Sequence, residues 1–256
     1  MQNLKRSSKL KTAILKVLAS KKMVFLGGPR QVGKTTFSLQ LISDKEANET
    51  HPAYLNWDNP SVPARIRKME LPIDQPLLIF DEIHKDRRWR NLLKGIYDTE
   101  KSRRSILVTG SARLDHYRKG GDSLVGRYRY FRMHPLSLRE ISDNPTNKDL
   151  EHLLRWGGFP EPFLKQDESE HRIWQRDRLS RVVREDLRDL ENVREIKLIE
   201  QLVAALPERV GSILSVKNLK ELLEVDHKTA DRWITILENL YVCYRISPYG
   251  VPKLRT

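Results

Sequence analysis

Met23-Val-Phe-Leu-Gly-Gly-Pro-Arg-Gln-Val-Gly-Lys-Thr-Thr36 is the stretch whose reading decides the fold. The apolar residues 23–26 read as a short buried strand. The spacing Gly28-x-x-x-x-Gly33-Lys34-Thr35 follows at once, and the apolar positions Phe37, Leu39, Leu41 and Ile42 predict a helix behind it. Strand, glycine-rich loop and helix in that order is the context a phosphate-binding loop needs. Glycines let the backbone curl so that several N–H groups converge on one anion, and the helix start adds partial positive charge. Lys34 is placed to reach the β- and γ-phosphates, and the Thr35 hydroxyl to take a position on Mg²⁺. A glycine turn that merely caps a helix is the alternative. The strand before the loop and the helix after it speak against that.

The second half of such a site lies some fifty residues on. Leu77-Leu-Ile-Phe80 is apolar throughout, as a strand covered on both faces requires, and it runs into Asp81-Glu82. Asp81 is expected to hold Mg²⁺, directly with Thr35 or through water, and Glu82 to orient and deprotonate an attacking water. An acidic loop after a strand is the plainer alternative, and the phosphate loop upstream is what favours the functional reading. His84, close by, is read as a satisfied structural polar group. Residues 105–109 form another strand signal ending in Thr109-Gly110-Ser111, and a polar side chain at that tip, Ser111 or Thr109, would sit near a γ-phosphate. For either residue singly, a turn-forming Gly-Ser is an equal reading.

The chain of 256 residues carries a net charge of +13, which implies an anionic partner beyond the nucleotide or else simply a basic surface. The charge is uneven. Residues 1–22 hold seven basic side chains and no acid, residues 101–139 hold ten against Asp115 and Asp122, and residues 191–256 are nearly balanced at ten against nine. A single cysteine, Cys243, excludes an intrachain disulfide and a cysteine-based zinc site, which fits a reducing cytoplasm. No apolar run approaches the roughly 18 residues of a membrane span. Lys16, Lys21 and Lys22 interrupt the apolar N-terminal stretch, so residues 10–19 read as an amphipathic helix rather than a signal peptide.

Along the rest of the chain, residues 53–57 predict a strand, 61–72 a helix, 89–98 a helix with Trp89, Leu92, Leu93 and Ile96 on one face, and 128–133 a fifth strand. Residues 113–123, with Arg113, Arg118, Lys119, Gly120 and Gly121, read as a loop facing a partner. Ser137 and Glu140 have capping-box spacing. Residues 150–156 read as helix, 157–162 as a rigid Gly-Gly-Phe-Pro-Glu-Pro elbow, and 167–190 as a long helix whose balanced charges suit a solvated face. Three helices follow: 196–206 stopped by Pro207, one capped by Ser215, and one from Lys228 to Tyr241 capped by Asp226. Residues 242–246 predict a strand and 247–250 a turn or wing. This resembles a winged helix-turn-helix, in which His227, Lys228, Thr229 and Arg232 would meet base edges. Such modules also serve as protein-packing units, and the near-neutral charge here leaves DNA and protein partners evenly matched.

Gly28-Pro-Arg-Gln-Val-Gly-Lys-Thr-Thr36, Leu78-Ile-Phe-Asp-Glu-Ile-His84, Leu107-Val-Thr-Gly-Ser111, Leu124-Val-Gly-Arg127, Pro135-Leu-Ser-Leu-Arg-Glu140, Trp156-Gly-Gly-Phe-Pro160 and Lys228-Thr-Ala-Asp-Arg-Trp233 occur in order. The set resembles the bacterial and archaeal AAA-type ATPase family AAA_14 with its DUF4143 C-terminal region, over residues 20 to 250. The resemblance implies an α/β P-loop NTPase (AAA+) core with a five-stranded parallel sheet in the order 5-1-4-3-2, then a helical part and a winged helix. The expected division is a nucleotide-binding core over 1–141, a helical lid or connector over 142–192, a winged-helix domain over 193–250 and a tail over 251–256. Gly28, Pro29, Arg30, Gln31, Val32, Gly33, Lys34, Thr35 and Thr36 fall in the nucleotide-binding positions, Thr35 and Asp81 on the metal, and Glu82 in the catalytic acid position. Ser111 or Thr109 falls at the sensor site, and Arg127 is the candidate for the arginine that stabilises the transferring phosphoryl group. Members of the family usually continue into a nuclease-like α/β region. The sequence ends at Thr256, and no nuclease activity is expected.

The expected activity is Mg²⁺-dependent ATP binding and hydrolysis in the cytoplasm, coupled to a C-terminal DNA- or protein-binding region, with homo-oligomers as a candidate assembly. A slow nucleotide-gated switch or DNA-binding regulator is the rival. A small-molecule kinase also uses a phosphate loop, but the Asp81-Glu82 pair and the C-terminal helix-turn-helix speak against it.

Overall fold

A computed structural model describes residues 8–42, 48–110, 124–186 and 195–246. The chain divides into two compact units, residues 1–172 and 173–256.

In the first unit, helix α1 (Ser8–Ala19) leads into β1 (Met23–Gly27), the phosphate loop and the short helix α2 (Lys34–Leu39). Strand β2 (Tyr54–Asn56), helix α3 (Ser61–Arg67), strand β3 (Leu77–Asp81), helix α4 (Trp89–Glu100), strand β4 (Ser105–Thr109) and strand β5 (Tyr128–Arg132) follow. All four strand pairings are parallel and the order is β2-β3-β4-β1-β5, which is 5-1-4-3-2 read from the other edge. This is the predicted sheet of a P-loop NTPase core.

The apolar strands bury both faces, and their period of two divides the core. Met23, Phe25, Leu78, Phe80, Ile106 and Val108 pack with Val62 and Ile66 of α3 and with Trp89, Leu93 and Ile96 of α4. Val24, Leu26, Leu77, Ile79 and Leu107 point the other way, onto Ile14, Val17 and Leu18 of α1 and Phe37 of α2. A strand covered on both faces can carry no polar side chain along its length without a partner, so the polar groups gather at the tips.

Helix α3 stops at Arg67, earlier than the expected 72, because Met69 takes a left-handed turn at φ 59°. Past the sheet, α5 (Leu138–Ile141) opens with the predicted Ser137–Glu140 capping box. Helix α6 (Asn147–Trp156) opens with a second one, Thr146 with Asp149. Residues 160–162 were expected to be part of a rigid elbow. They form instead the first turn of α7 (Pro160–Lys165), since proline at the first helical position gives up no hydrogen bond. Only Gly157 and Gly158 make the bend, and the Gly158 carbonyl accepts the Leu136 N–H at 2.6 Å.

Helix α8 (Glu168–Arg181) begins in the first unit and ends in the second, where it passes into a π-helical turn, Val182–Asp186. The uninterrupted helix expected over 167–190 is therefore corrected to this shorter one, and residues 187–190 lie outside the described residues. In the second unit, α9 (Ile196–Ala205), α10 (Val216–Leu223) and α11 (His227–Asn239) follow. The turn between α10 and α11 is three residues, with Glu224 left-handed at φ 54° and Asp226 capping α11. Leu219, Leu223, Ala230, Trp233, Ile234 and Leu237 are buried.

Residues 242–246, predicted as a strand, have no strand partner among the described residues and run as irregular chain. Side chains replace the ladder. The Arg245 N–H donates to Glu238 Oε1 at 2.7 Å, and its guanidinium pairs with Asp231 and Glu238, each at 2.6 Å. The expected wing, 247–250, and the tail, 251–256, lie outside the described residues.

Candidate nucleotide-binding site

The phosphate loop leaves the tip of β1 at the centre of the sheet. Gly28 sits at φ 144°, and a Cβ added there would lie 2.2 Å from the Met133 carbonyl oxygen. Both facts demand glycine. The loop is pinned against the end of β5, where the Met133 N–H donates to the Gly27 carbonyl at 2.8 Å. Gln31 and Gly33 are also left-handed, at φ 61° and 92°, so the backbone between β1 and α2 is curled. Val32 anchors the curl in the apolar core. Pro29 is buried, Arg30 half-buried and Thr36 exposed.

Lys34 is buried, and its ammonium donates to the carbonyls of Gly28 at 3.1 Å and Pro29 at 2.8 Å. An ammonium held by two main-chain oxygens is a charge ready to exchange them for phosphate oxygens.

Asp81 ends β3, 7% exposed, and its carboxylate is held on both oxygens. Thr109 Oγ1 donates to Oδ1 at 2.5 Å. The Tyr54 hydroxyl donates to Oδ2, and Thr35 Oγ1 lies at 3.4 Å from the same oxygen. Strand register brings these residues together, since Asp81 pairs with Thr109 of β4 on one side and Asn56 of β2 on the other. Burial beside the Asp81 carboxylate drives the Tyr54 hydroxyl well above its usual pKa, so it is a donor at any ordinary pH.

Glu82 is the first residue past the strand. Its backbone is left-handed at φ 56°, which turns the chain into the short 3-10 turn Ile83–Lys85. Its own N–H donates to the Thr109 carbonyl at 3.0 Å. Burial, and then the neighbouring Asp81, push the Glu82 carboxyl up to about 7, against the pull of Lys85, Lys34 and Arg30. The fully buried His84 side chain lies below it, with Nε2 at 3.3 Å from Glu82 Oε2. Lys85 Nζ pairs with the Asp58 carboxylate at 2.5 Å, tying this turn to the end of β2.

The structure thus gathers Lys34, Thr35, Asp81 and Glu82 at the same end of the sheet and adds Tyr54, Thr109 and His84 to them. Tyr54 was read from the sequence only as part of a strand. The available signal was its hydroxyl, the one polar group among the buried side chains of that strand's start. Thr109, one of the two sensor candidates, turns its hydroxyl to Asp81. Ser111, the other sensor candidate, lies outside the described residues, as does the basic loop 113–123.

Arg127 is elsewhere. It immediately precedes Tyr128, the partner of Met23 at the start of β1, whereas the phosphate loop leaves the end of β1 at Gly27. At ~3.3 Å per residue the two ends are roughly 13 Å apart. Arg127 pairs with Asp98 at 3.3 Å. A role for Arg127 on the nucleotide of its own chain is therefore corrected by the direction of the strand.

In the second unit, His227, Lys228 and Arg232 are exposed on the first turns of α11, and Thr229 is half-buried. The Thr229 hydroxyl donates to Asp226 Oδ2 at 2.5 Å, so that side chain is committed to its own helix cap. No helix among the described residues is long and apolar enough to cross a membrane.

The residues fit a magnesium nucleotide. The Gly28 cradle leaves no room for a side chain, Lys34 supplies a cation on the loop, and Thr35 and Asp81 offer hard oxygens close together.

Comparison with known proteins agrees with this geometry. Residues 20–142 match the family model AAA_14, described as an AAA domain. Residues 147–256 match a domain of unknown function, DUF8612, so the DUF4143 name carried by the resemblance is not the one that matches. Uncharacterized proteins of Mycobacterium tuberculosis and Methanocaldococcus jannaschii are among the relatives. The first is 24% identical over 89% of this chain and 50% of its own length. One from Methanocaldococcus jannaschii is 24% identical over 90% of this chain and 58% of its own. The chain spans about half the length of these curated relatives. Among solved structures, the Aeropyrum pernix ORC1 protein in complex with DNA aligns over 91% of this chain and 83% of its own, with a TM-score of 0.40 and 16% identity. So faint a likeness adds nothing to the assignment.

Proposed function

We propose that this protein binds ATP with Mg²⁺ and hydrolyses it; the match of residues 20–142 to the AAA_14 model of AAA domains supports the reading. The observation that carries the proposal is the pair of adjacent carboxylates in unlike surroundings. Asp81 is fixed by hydroxyl donors on both oxygens, while Glu82 is half-buried and held near neutral pH. Carboxyl groups whose environments differ in this way divide the labour of a site.

Lys34 exchanges the Gly28 and Pro29 carbonyls for phosphate oxygens, and the curled backbone 28–33 supplies N–H groups to the same anion. Thr35 and Asp81 would hold Mg²⁺, which when bound neutralises charge across the β- and γ-phosphates. Glu82 Oε2 accepts the proton of the attacking water, and at pH above 7 its carboxylate is free to do so. His84, at 3.3 Å, limits where that carboxylate can turn. Positioning and fixed charge supply most of the catalysis. An arginine contribution from Arg127 would have to go to a nucleotide on another copy of the chain, as in a homo-oligomer.

The helices α10 and α11 and their three-residue turn support a second role, contact with DNA or a protein partner under control of the nucleotide state. The exposed His227, Lys228 and Arg232 are the proposed contacts. Core 1–141, connector 142–192 and partner-binding region 193–250 remain the proposed division of labour.

ATP turnover and fluorescent-ATP binding in wild type, Lys34→Ala and Glu82→Gln test the proposal. Lys34→Ala is expected to lose binding. Glu82→Gln is expected to bind normally and to lose about 10²–10⁴ in turnover, the usual worth of a positioned base. Wild-type turnover in Glu82→Gln would remove the proposed base.

A further inference from the structure

The geometry points to Tyr54 as a positioning residue for magnesium, acting through Asp81; this rests on the reading of Asp81 as a metal ligand given above. Tyr54 is 6% exposed, and its ring packs with Val32, Phe37, Leu77 and Ile79 in the apolar layer on the α1 side of the sheet. A hydroxyl carried into such a layer must find a partner. It finds Asp81 Oδ2, the carboxylate oxygen that also faces Thr35 Oγ1 at 3.4 Å.

A carboxylate oxygen has two lone pairs. Tyr54 donates to one on Oδ2 from the β2 side, and the Thr35 hydroxyl makes a long contact of 3.4 Å to the same oxygen. Thr109 holds Oδ1 from the β4 side at 2.5 Å. The carboxylate is therefore gripped from both neighbouring strands, which restrains its rotation about the Cβ–Cγ bond. Oδ2, the oxygen that faces the Thr35 hydroxyl, is the one placed to share a cation with it. Without the Tyr54 hydroxyl, Asp81 keeps one short anchor, Thr109 on Oδ1, and Oδ2 is left with only the long contact to Thr35, so its aim is loosened. Partners of this kind behind a metal-binding carboxylate are commonly worth about 10–100-fold in metal affinity.

Tyr54→Phe is the variant of choice because the ring, and with it the packing, is kept. Binding of a fluorescent ATP analogue is measured first in EDTA and then across a Mg²⁺ titration, in wild type, Tyr54→Phe and Asp81→Asn. The inference expects Tyr54→Phe to bind the analogue in EDTA as wild type does, and to need at least about tenfold more Mg²⁺ for the half-maximal metal response. A Mg²⁺ midpoint equal to wild type overturns it. So does loss of binding in EDTA, which would place the hydroxyl in the service of the fold. Asp81→Asn separates the two claims. If its Mg²⁺ response matches wild type, the reading of Asp81 itself fails; if it loses the response while Tyr54→Phe keeps the wild-type midpoint, only the role of Tyr54 fails.

Discussion

Replacing Glu82 by glutamine should make the nucleotide-free protein more stable above neutral pH at the same time as it removes ATP turnover. The carboxyl has an ordinary pKa of 4.5 and is held at about 7 in the folded chain, first by burial and then by the charge of Asp81. Below pH 4.5 the group is protonated in both folded and unfolded chains, and it makes no difference to stability. Between 4.5 and 7 the folded chain keeps a proton that the unfolded chain releases, so stability falls as pH rises. Above 7 the full cost of an ionised, poorly solvated carboxylate is present. At ~1.4 kcal/mol for each tenfold change in proton affinity, the rise from 4.5 to about 7 is worth ~3 kcal/mol. Glutamine has nearly the shape of the protonated acid and never ionises, so it escapes that cost. For a unit of this size ~3 kcal/mol corresponds to a rise in Tm of roughly 6–12 °C. The assay is thermal unfolding by circular dichroism in EDTA, of wild type and Glu82→Gln, from pH 4.5 to 8. The gap should be close to zero at pH 4.5 and widen through pH 7. A gap independent of pH, or a variant less stable than wild type at pH 8, would refute the electrostatic argument. The expected pairing of greater stability with lost turnover is the trade-off of a site that holds its base under strain.

Gly28→Ala should destabilise the first unit by about 2–4 kcal/mol, since a Cβ would meet the Met133 carbonyl and the backbone there is one that L-residues avoid; thermal unfolding measures it, and a melting point within a degree of wild type would sink the argument. Arg127→Ala should leave ATP affinity unchanged and lower turnover at least ~100-fold, but only at protein concentrations where copies associate, because the residue cannot reach its own nucleotide; a loss of activity in demonstrably monomeric protein would contradict the strand geometry. If α11 grips duplex DNA through phosphates, replacing Lys228 and Arg232 together by alanine should reduce the slope of log affinity against log salt by about 2, and an unchanged slope would remove these two side chains from the interface.

Much of the candidate site was legible in the sequence because its chemistry is local. A loop that must curl around an anion needs Gly28 and Gly33 within a few residues of Lys34 and Thr35, and a buried strand that ends in Asp81-Glu82 announces its own tip. Caps were legible for the same reason. Ser137 with Glu140, Ser215 and Asp226 all start the helices predicted for them, since a capping side chain acts within three residues of itself. The C-terminal strand was not: residues 242–246 have the composition of a strand, but a strand exists only where a neighbour completes its ladder, and here Arg245 and the side chains of α11 take that place.

The amino-acid order by itself determined the alternation of apolar strands and helices, the phosphate loop and the acid pair. What only the tertiary structure decided is which distant residues meet at the tips of those strands. The parallel register sets Tyr54 and Thr109 on either side of Asp81, backs Gly28 against Met133, and carries Arg127 to the opposite end of β1 from the phosphate loop of its own chain. The physical reason is that side-chain pattern fixes which face of a strand is buried, while the neighbour of each residue across the sheet depends on strand order and register, and these follow from packing the whole core at once.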